Sequence, residues 1–120
     1  MRAISIFVGM ITLWFGISSQ SDAVFGDPER GKLVFVQRCA ICHGESGDGN
    51  NGMAANFRQE WHRFTKSDEE LAQSIRNGLQ TPGSHYTAGA MPPQVLTDRE
   101  LNDVIAYLRE TFGNAPRFSE

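Results

Sequence analysis

The sequence predicts an all-α domain of three or more helices, set behind a separate N-terminal segment. Two Ser/Thr-x-x-Glu boxes, at Ser67–Glu70 and Thr97–Glu100, each open a stretch with apolar residues at helical spacing. Asp27-Pro28 opens a third such stretch, an acceptor followed by proline at the first helical position. No alternating apolar–polar run reads as a strand.

The N-terminal segment differs from the rest. Arg2 is followed by an uncharged run from Ala3 to Ile17, then by polar SSQSDA with small Ser21 and Ala23 two apart. This is the pattern of a secretory signal peptide, residues 1–23, cut after Ala23. A retained anchor is the alternative, although the run is shorter than the roughly 20 apolar residues that span a bilayer. Cleavage removes Arg2 and Asp22 and leaves the net charge at −3. That charge is too mild for a nucleic-acid or polybasic membrane partner. The expected layout is a domain over 24–113 and a tail over 114–120, exported to the periplasm with no membrane span after cleavage. A domain of roughly 100 residues buries only about 60–65% of its unfolded surface, so a large buried cofactor would help it fold.

The first helix is expected to run from Pro28 through Gly31, Val34, Phe35 and Arg38 toward the cysteines. The second carries Leu71 and Ile75 and stops near Gly78. The third places Leu101, Val104, Ile105, Leu108 and Phe112 at i, i+3, i+4, i+7 and i+11 and ends at Gly113.

The chain's two cysteines, Cys39 and Cys42, are followed at once by His43. A Cys-x-x-Cys disulfide closes too short a loop to stabilise much. A zinc site lacks a second ligand cluster, and a thioredoxin-like site lacks its strand and βαβ surroundings. Cys-x-x-Cys-His is the attachment pattern of haem c. Two thiols add across the haem vinyl groups, and the adjacent imidazole serves as an axial ligand to the iron. GDGNNG, Gly47 to Gly52, matches G-x-G-x-x-G literally, but no strand precedes it and no helix follows. It reads as a glycine-rich turn where the backbone passes close to the porphyrin.

The second axial ligand is sought among Met53, His62, His85 and Met91. Met91 lies in GAMPPQ, where paired prolines stiffen the loop. Core packing is the ordinary role of a methionine, but beside a haem Met91 is the expected ligand. His85 is the bis-histidine alternative.

GDPERGKLVFVQRCAICH, AMPPQVLTDRELNDVIAYL and DVIAYLRE together resemble the class I cytochrome c family over about Gly26 to Phe112. The resemblance implies helices wrapped around one covalently bound haem. It also implies a close crossing of the first and last helices, with Gly31 and Phe35 against Val104 and Tyr107. Two departures stand out. AANF puts Ala55 where the family usually has the proline whose carbonyl orients the axial histidine. Lys32 and Lys66 are the only lysines, so the lysine ring of mitochondrial members is missing. The function implied is one-electron transfer between a redox donor and a redox acceptor, by a monomer or in transient complexes. A haem subunit of a larger oxidoreductase and a peroxidase-like haem enzyme are the alternatives. Phe35, Phe57, Val104 and Leu108 are expected to wall the haem; Arg38 and Lys32, near the attachment site, are either merely solvated side chains or a small basic rim.

Overall fold

The computed structural model describes residues 26–80 and 85–113. The expected signal peptide and the expected tail over 114–120 lie outside the described residues. The elements run in the order α1 (Pro28–Val34), a π-helical segment (Phe35–Cys39), α2 (Ala40–His43), a 3-10 turn (Trp61–Thr65), α3 (Asp68–Asn77) and α4 (Asp98–Phe112). Among the described residues the extended pairing is one isolated bridge, Leu79 with Met91.

The caps lie where the sequence puts them. Asp27 accepts hydrogen bonds from the backbone N–H groups of Glu29 and Arg30, at 2.9 and 3.3 Å. Such a cap contributes about 1 kcal/mol. Both capping boxes are closed: Glu70 N–H donates to Ser67 Oγ while Ser67 N–H donates to Glu70 Oε2, and Thr97 and Glu100 repeat the arrangement.

The first helix differs from expectation in one respect. It is unbroken from Pro28 to His43 but widens at Phe35, and Ala40 N–H bonds Phe35 O, five residues back. One inserted residue turns the following side chains by roughly 100° relative to α register. Phe35 therefore faces α4, while Cys39, Cys42 and His43 face the opposite cavity.

Helices α1 and α4 cross in direct backbone contact. A Cβ on Gly31 would lie 1.9 Å from the Asp103 carbonyl oxygen and 2.8 Å from Tyr107 Cβ. The crossing is the expected one, with Asp103 rather than Val104 opposite the glycine. Just beyond it, Phe35 is fully buried, its ring 5.3 Å from Tyr107, 6.0 Å from Phe112 and 6.4 Å from Phe57. Burying one such side chain contributes about 1.5–3 kcal/mol.

Asp103 is 2% exposed, a buried carboxylate that helical periodicity did not announce. It accepts from Asp27 N–H at 2.7 Å and from Arg30 Nε at 2.8 Å, so the start of α1 supplies both its partners. Arg109 ties α4 to the middle of the chain by donating to Asp68 Oδ1 at 2.8 Å and to the Phe64 carbonyl at 2.7 Å.

The GDGNNG segment forms turns, as expected, but its close approach is to a different neighbour. A Cβ on Gly47 would meet the Phe112 ring at 2.5 Å. None of residues 47–52 lines the cavity described next. Gly47 thus packs against Phe112 of α4.

Candidate haem site

The helix end, the loop after it, α3 and the loop before α4 enclose a cavity of about 520 Å³. That is within the roughly 300–1,000 Å³ of cofactor clefts. Cys39, Cys42, His43 and Met91 all line it. The walls between them are largely apolar, with Phe57, Phe64, Leu71, Ile75 and Leu108 among the lining residues. Phe57 and Leu108 were expected there. Phe35 and Val104 were expected too, but they are fully buried behind the cavity, in the crossing of α1 with α4.

His43 is 8% exposed and stacks on Phe57, ring centroids 4.2 Å apart at 24°. Its Nδ1 lies 3.2 Å from the Ala55 carbonyl oxygen. A carbonyl can only accept, so Nδ1 carries the proton and Nε2 keeps its lone pair. The backbone carbonyl thus does the orienting that the family's proline residue does, and the missing proline ring costs no acceptor. Burial holds His43 below its ordinary pKa, partly offset by the hydrogen bond to Ala55, which keeps the ring neutral. A neutral imidazole with one nitrogen fixed and the other free suits a metal ligand.

Both cysteines are free and partly buried. Burial, and next the neighbouring Cys42, push the Cys39 thiol up to about 11. A protonated thiol on an apolar wall is the reverse of the thiolate that redox-active Cys-x-x-Cys sites maintain. Among the described residues no group of three or more His, Cys, Asp or Glu side chains is placed to hold a metal ion.

Of the four candidates for a second ligand, Met91 alone lines the cavity. His62 and His85 are exposed, and Met53 Sδ lies 3.7 Å from Asn50 Nδ2. The backbone of Met91 is held by two hydrogen bonds to Leu79, N–H to carbonyl in each direction at 3.0 Å. Gln94 N–H adds a bond to the Ile75 carbonyl at 2.9 Å. Gly78 makes this docking possible: its φ is +75°, and a Cβ there would lie 2.4 Å from the Met91 carbonyl oxygen. On the other side, Thr87 and Ala88 N–H groups bond the Gly52 and Met53 carbonyls at 3.0 and 3.1 Å.

Arg38 and Lys32 do not form one rim. Arg38 lines the cavity, but Lys32 lies in a separate shallow groove with Pro28, Tyr107 and Glu110. Arg63 and Lys66 take its place at the cavity. Neither they nor Tyr86, which also lines it, carry a motif that spacing alone would expose.

A helical domain that gathers Cys-x-x-Cys-His and a loop methionine around one apolar cavity has the donor set and the space for haem c. Comparison with known proteins agrees. A family model described as cytochrome c matches residues 28–112. A cytochrome c-553-like protein of Synechocystis is 30% identical over 91 residues, covering 76% of this chain and 75% of that protein. The cytochrome c subunit of a quinone alcohol dehydrogenase of Gluconobacter oxydans is 32% identical over 93 residues. A CcoP subunit of a cbb3-type cytochrome c oxidase of Helicobacter pylori is 28% identical over 80 residues. The chain spans only 20% and 26% of the length of those two subunits. Among solved structures, the c-type cytochrome XoxG of Methylobacterium extorquens superposes with a TM-score of 0.52 at 24% identity, over 75% of this chain and 54% of that one. That likeness supports the fold. The chain belongs to the cytochrome c family. Its cofactor is haem c.

Proposed function

We propose that this protein is a monohaem electron carrier, exported to the periplasm by a cleaved signal peptide over residues 1–23, with its cytochrome domain over 24–113 and a tail over 114–120. In this reading Cys39 and Cys42 carry the haem through thioether bonds, and His43 and Met91 are its axial ligands. The observation that carries the reading is that these four residues, and no other candidate ligand, line one cavity. Bound there, the haem supplies a single iron that alternates between ferric and ferrous states.

The chain's own residues do the rest. The Ala55 carbonyl fixes the His43 ring, and the bridge to Leu79 fixes the Met91 backbone, so little protein geometry needs to change between oxidation states. Methionine ligation raises the potential relative to two histidines. The apolar wall of Phe57, Leu71, Ile75 and Leu108 acts in the same direction, because it disfavours the more highly charged ferric centre. Donor and acceptor are redox proteins met in transient complexes. One second reading has an observation behind it: two of the relatives are cytochrome subunits of a dehydrogenase and an oxidase, so a stable place in a larger oxidoreductase is the alternative. A peroxidase-like enzyme would need a vacant iron position, which Met91 in this role closes.

The test is purification from the exported fraction, followed by extraction with acidified organic solvent. The haem should stay with the polypeptide, and Cys39→Ala or Cys42→Ala should leave a single covalent link in a less stable protein. Haem that washes out of the wild type would refute the site. A chain that elutes alone supports the carrier, and one that copurifies in fixed ratio with a dehydrogenase or oxidase supports the subunit.

A further inference from the structure

Beside the cavity, Glu60, Arg63 and Tyr86 form a closed network. Glu60 immediately precedes the 3-10 turn, Arg63 lies within it, and Tyr86 comes from the loop that leads to Met91. Arg63 Nε donates to Glu60 Oε2 at 2.5 Å, and its Nη2 pairs with the same carboxylate. Arg63 Nη2 also donates to the Tyr86 hydroxyl at 3.2 Å, and that hydroxyl donates to Glu60 Oε1 at 2.8 Å. The Arg63 and Glu60 side chains are only 23% and 26% exposed. Arg63 and Tyr86 line the cavity, and Glu60 stands behind them.

A cation fixed in the wall of an apolar cavity disfavours the more positive oxidation state of an iron held inside it. A carboxylate locked against that cation cancels most of the effect. Arg63 lines the same cavity as His43 and Met91, and Glu60 is locked to Arg63 and Tyr86.

We propose that Glu60 is an internal countercharge that sets the reduction potential of the haem by neutralising Arg63, with Tyr86 keeping the carboxylate in place and ionised. The proposal rests on the haem reading above. Glu60 is a positioning residue, acting on the iron through Arg63. The groups facing Glu60 are Arg63 and His62 from the 3-10 turn and Tyr86 from the loop. Burial pushes its carboxyl up, but the hydrogen bonds from Tyr86 and Arg63 outweigh this and hold it below the ordinary glutamate value. Glu60 thus stays ionised near neutral pH, and its titration does not change the potential there. The potential rises on acidification, when Glu60 gains a proton and Arg63 is left uncompensated.

The experiment is a redox titration of the intact holoprotein and its variants. Glu60→Gln should move the ferric–ferrous equilibrium at least threefold toward ferrous at pH 7, about 28 mV at 59 mV per tenfold for one electron. Arg63→Gln should move it the other way. The double variant should return to within threefold of the wild type. Tyr86→Phe should shift the acid-side rise in potential to higher pH. If the two single variants move the potential in the same direction, or Glu60→Gln leaves it within threefold, the countercharge role is wrong. Should Glu60→Gln fail to mature, the Tyr86→Phe titration decides, and an unshifted acid-side rise overturns the proposal. Haem attachment is read on each sample. A wild type without covalent haem refutes the underlying site, whereas intact haem with unmoved potentials refutes only the countercharge.

Discussion

Leu79 and Met91 face each other across an antiparallel bridge, each donating its N–H to the other's carbonyl at 3.0 Å. The segment that follows α3 thereby holds the methionine loop by backbone alone, independently of the Met91 side chain.

Met91→Ala should therefore leave the loop docked and the haem attached while removing the thioether. The far-red charge-transfer band of a ferric iron–thioether bond should be present in the wild type and absent in the variant. The variant should also bind carbon monoxide, gain peroxidase-like activity and have a lower potential. Gly78→Ala should weaken the same band with Met91 still present, because the new Cβ collides with the Met91 carbonyl at 2.4 Å. A wild type without the band, whose spectrum changes instead in His85→Ala, would reassign the ligand to His85.

Gly31→Ala tests the crossing of α1 and α4. The added methyl has no room, with the Asp103 carbonyl oxygen 1.9 Å away, so the helices must separate. Overpacking of this kind costs about 1–3 kcal/mol. Chemical denaturation should show a loss of at least about 1 kcal/mol relative to wild type. The His43 environment, on the opposite side of the helix, should be nearly unchanged by absorption spectroscopy. An unaltered denaturation midpoint would mean that the helices do not pack this closely in solution.

Asp103 makes stability depend on acid. The hydrogen bond from Arg30, against an opposing effect of burial and with further help from Asp27 N–H, holds its carboxyl below the ordinary aspartate value. The folded protein thus binds this proton less readily than the unfolded chain. The stabilisation is present above the unfolded pKa and is lost as pH falls through the folded one. Denaturation midpoints should fall on the acid side in the wild type, and Asp103→Asn should flatten that part of the profile while lowering stability at neutral pH. An acid limb of unchanged steepness in Asp103→Asn would assign the effect to other carboxylates.

Much of the fold was legible because its signals are local. Asp27, Ser67 and Thr97 declare helix starts through side chains that reach only two or three residues ahead. The spacing from Leu101 to Phe112 declares a buried face within a single helix. Cys39, Cys42 and His43 stand out for the same reason: the proposed attachment of both thiols to one porphyrin edge needs a fixed short spacing, so the candidate site is contained in five consecutive residues.

What the sequence by itself determined, then, was the starts of the three main helices, the family and the candidate haem-attachment segment, since each depends on neighbours along the chain. The tertiary structure decided what depends on neighbours in space. It separated Met91 from Met53, His62 and His85, because only the bridge to Leu79 brings a candidate sulfur or nitrogen to the cavity. It supplied the Ala55 carbonyl as the acceptor for His43, a backbone atom whose availability is independent of the side chain that carries it. It buried Asp103 against the start of α1, moved Phe35 and Val104 behind the cavity wall, and joined Glu60 and Arg63 to Tyr86. No periodicity reports such pairings, because which segments meet in space is set by tertiary packing and not by spacing along the chain.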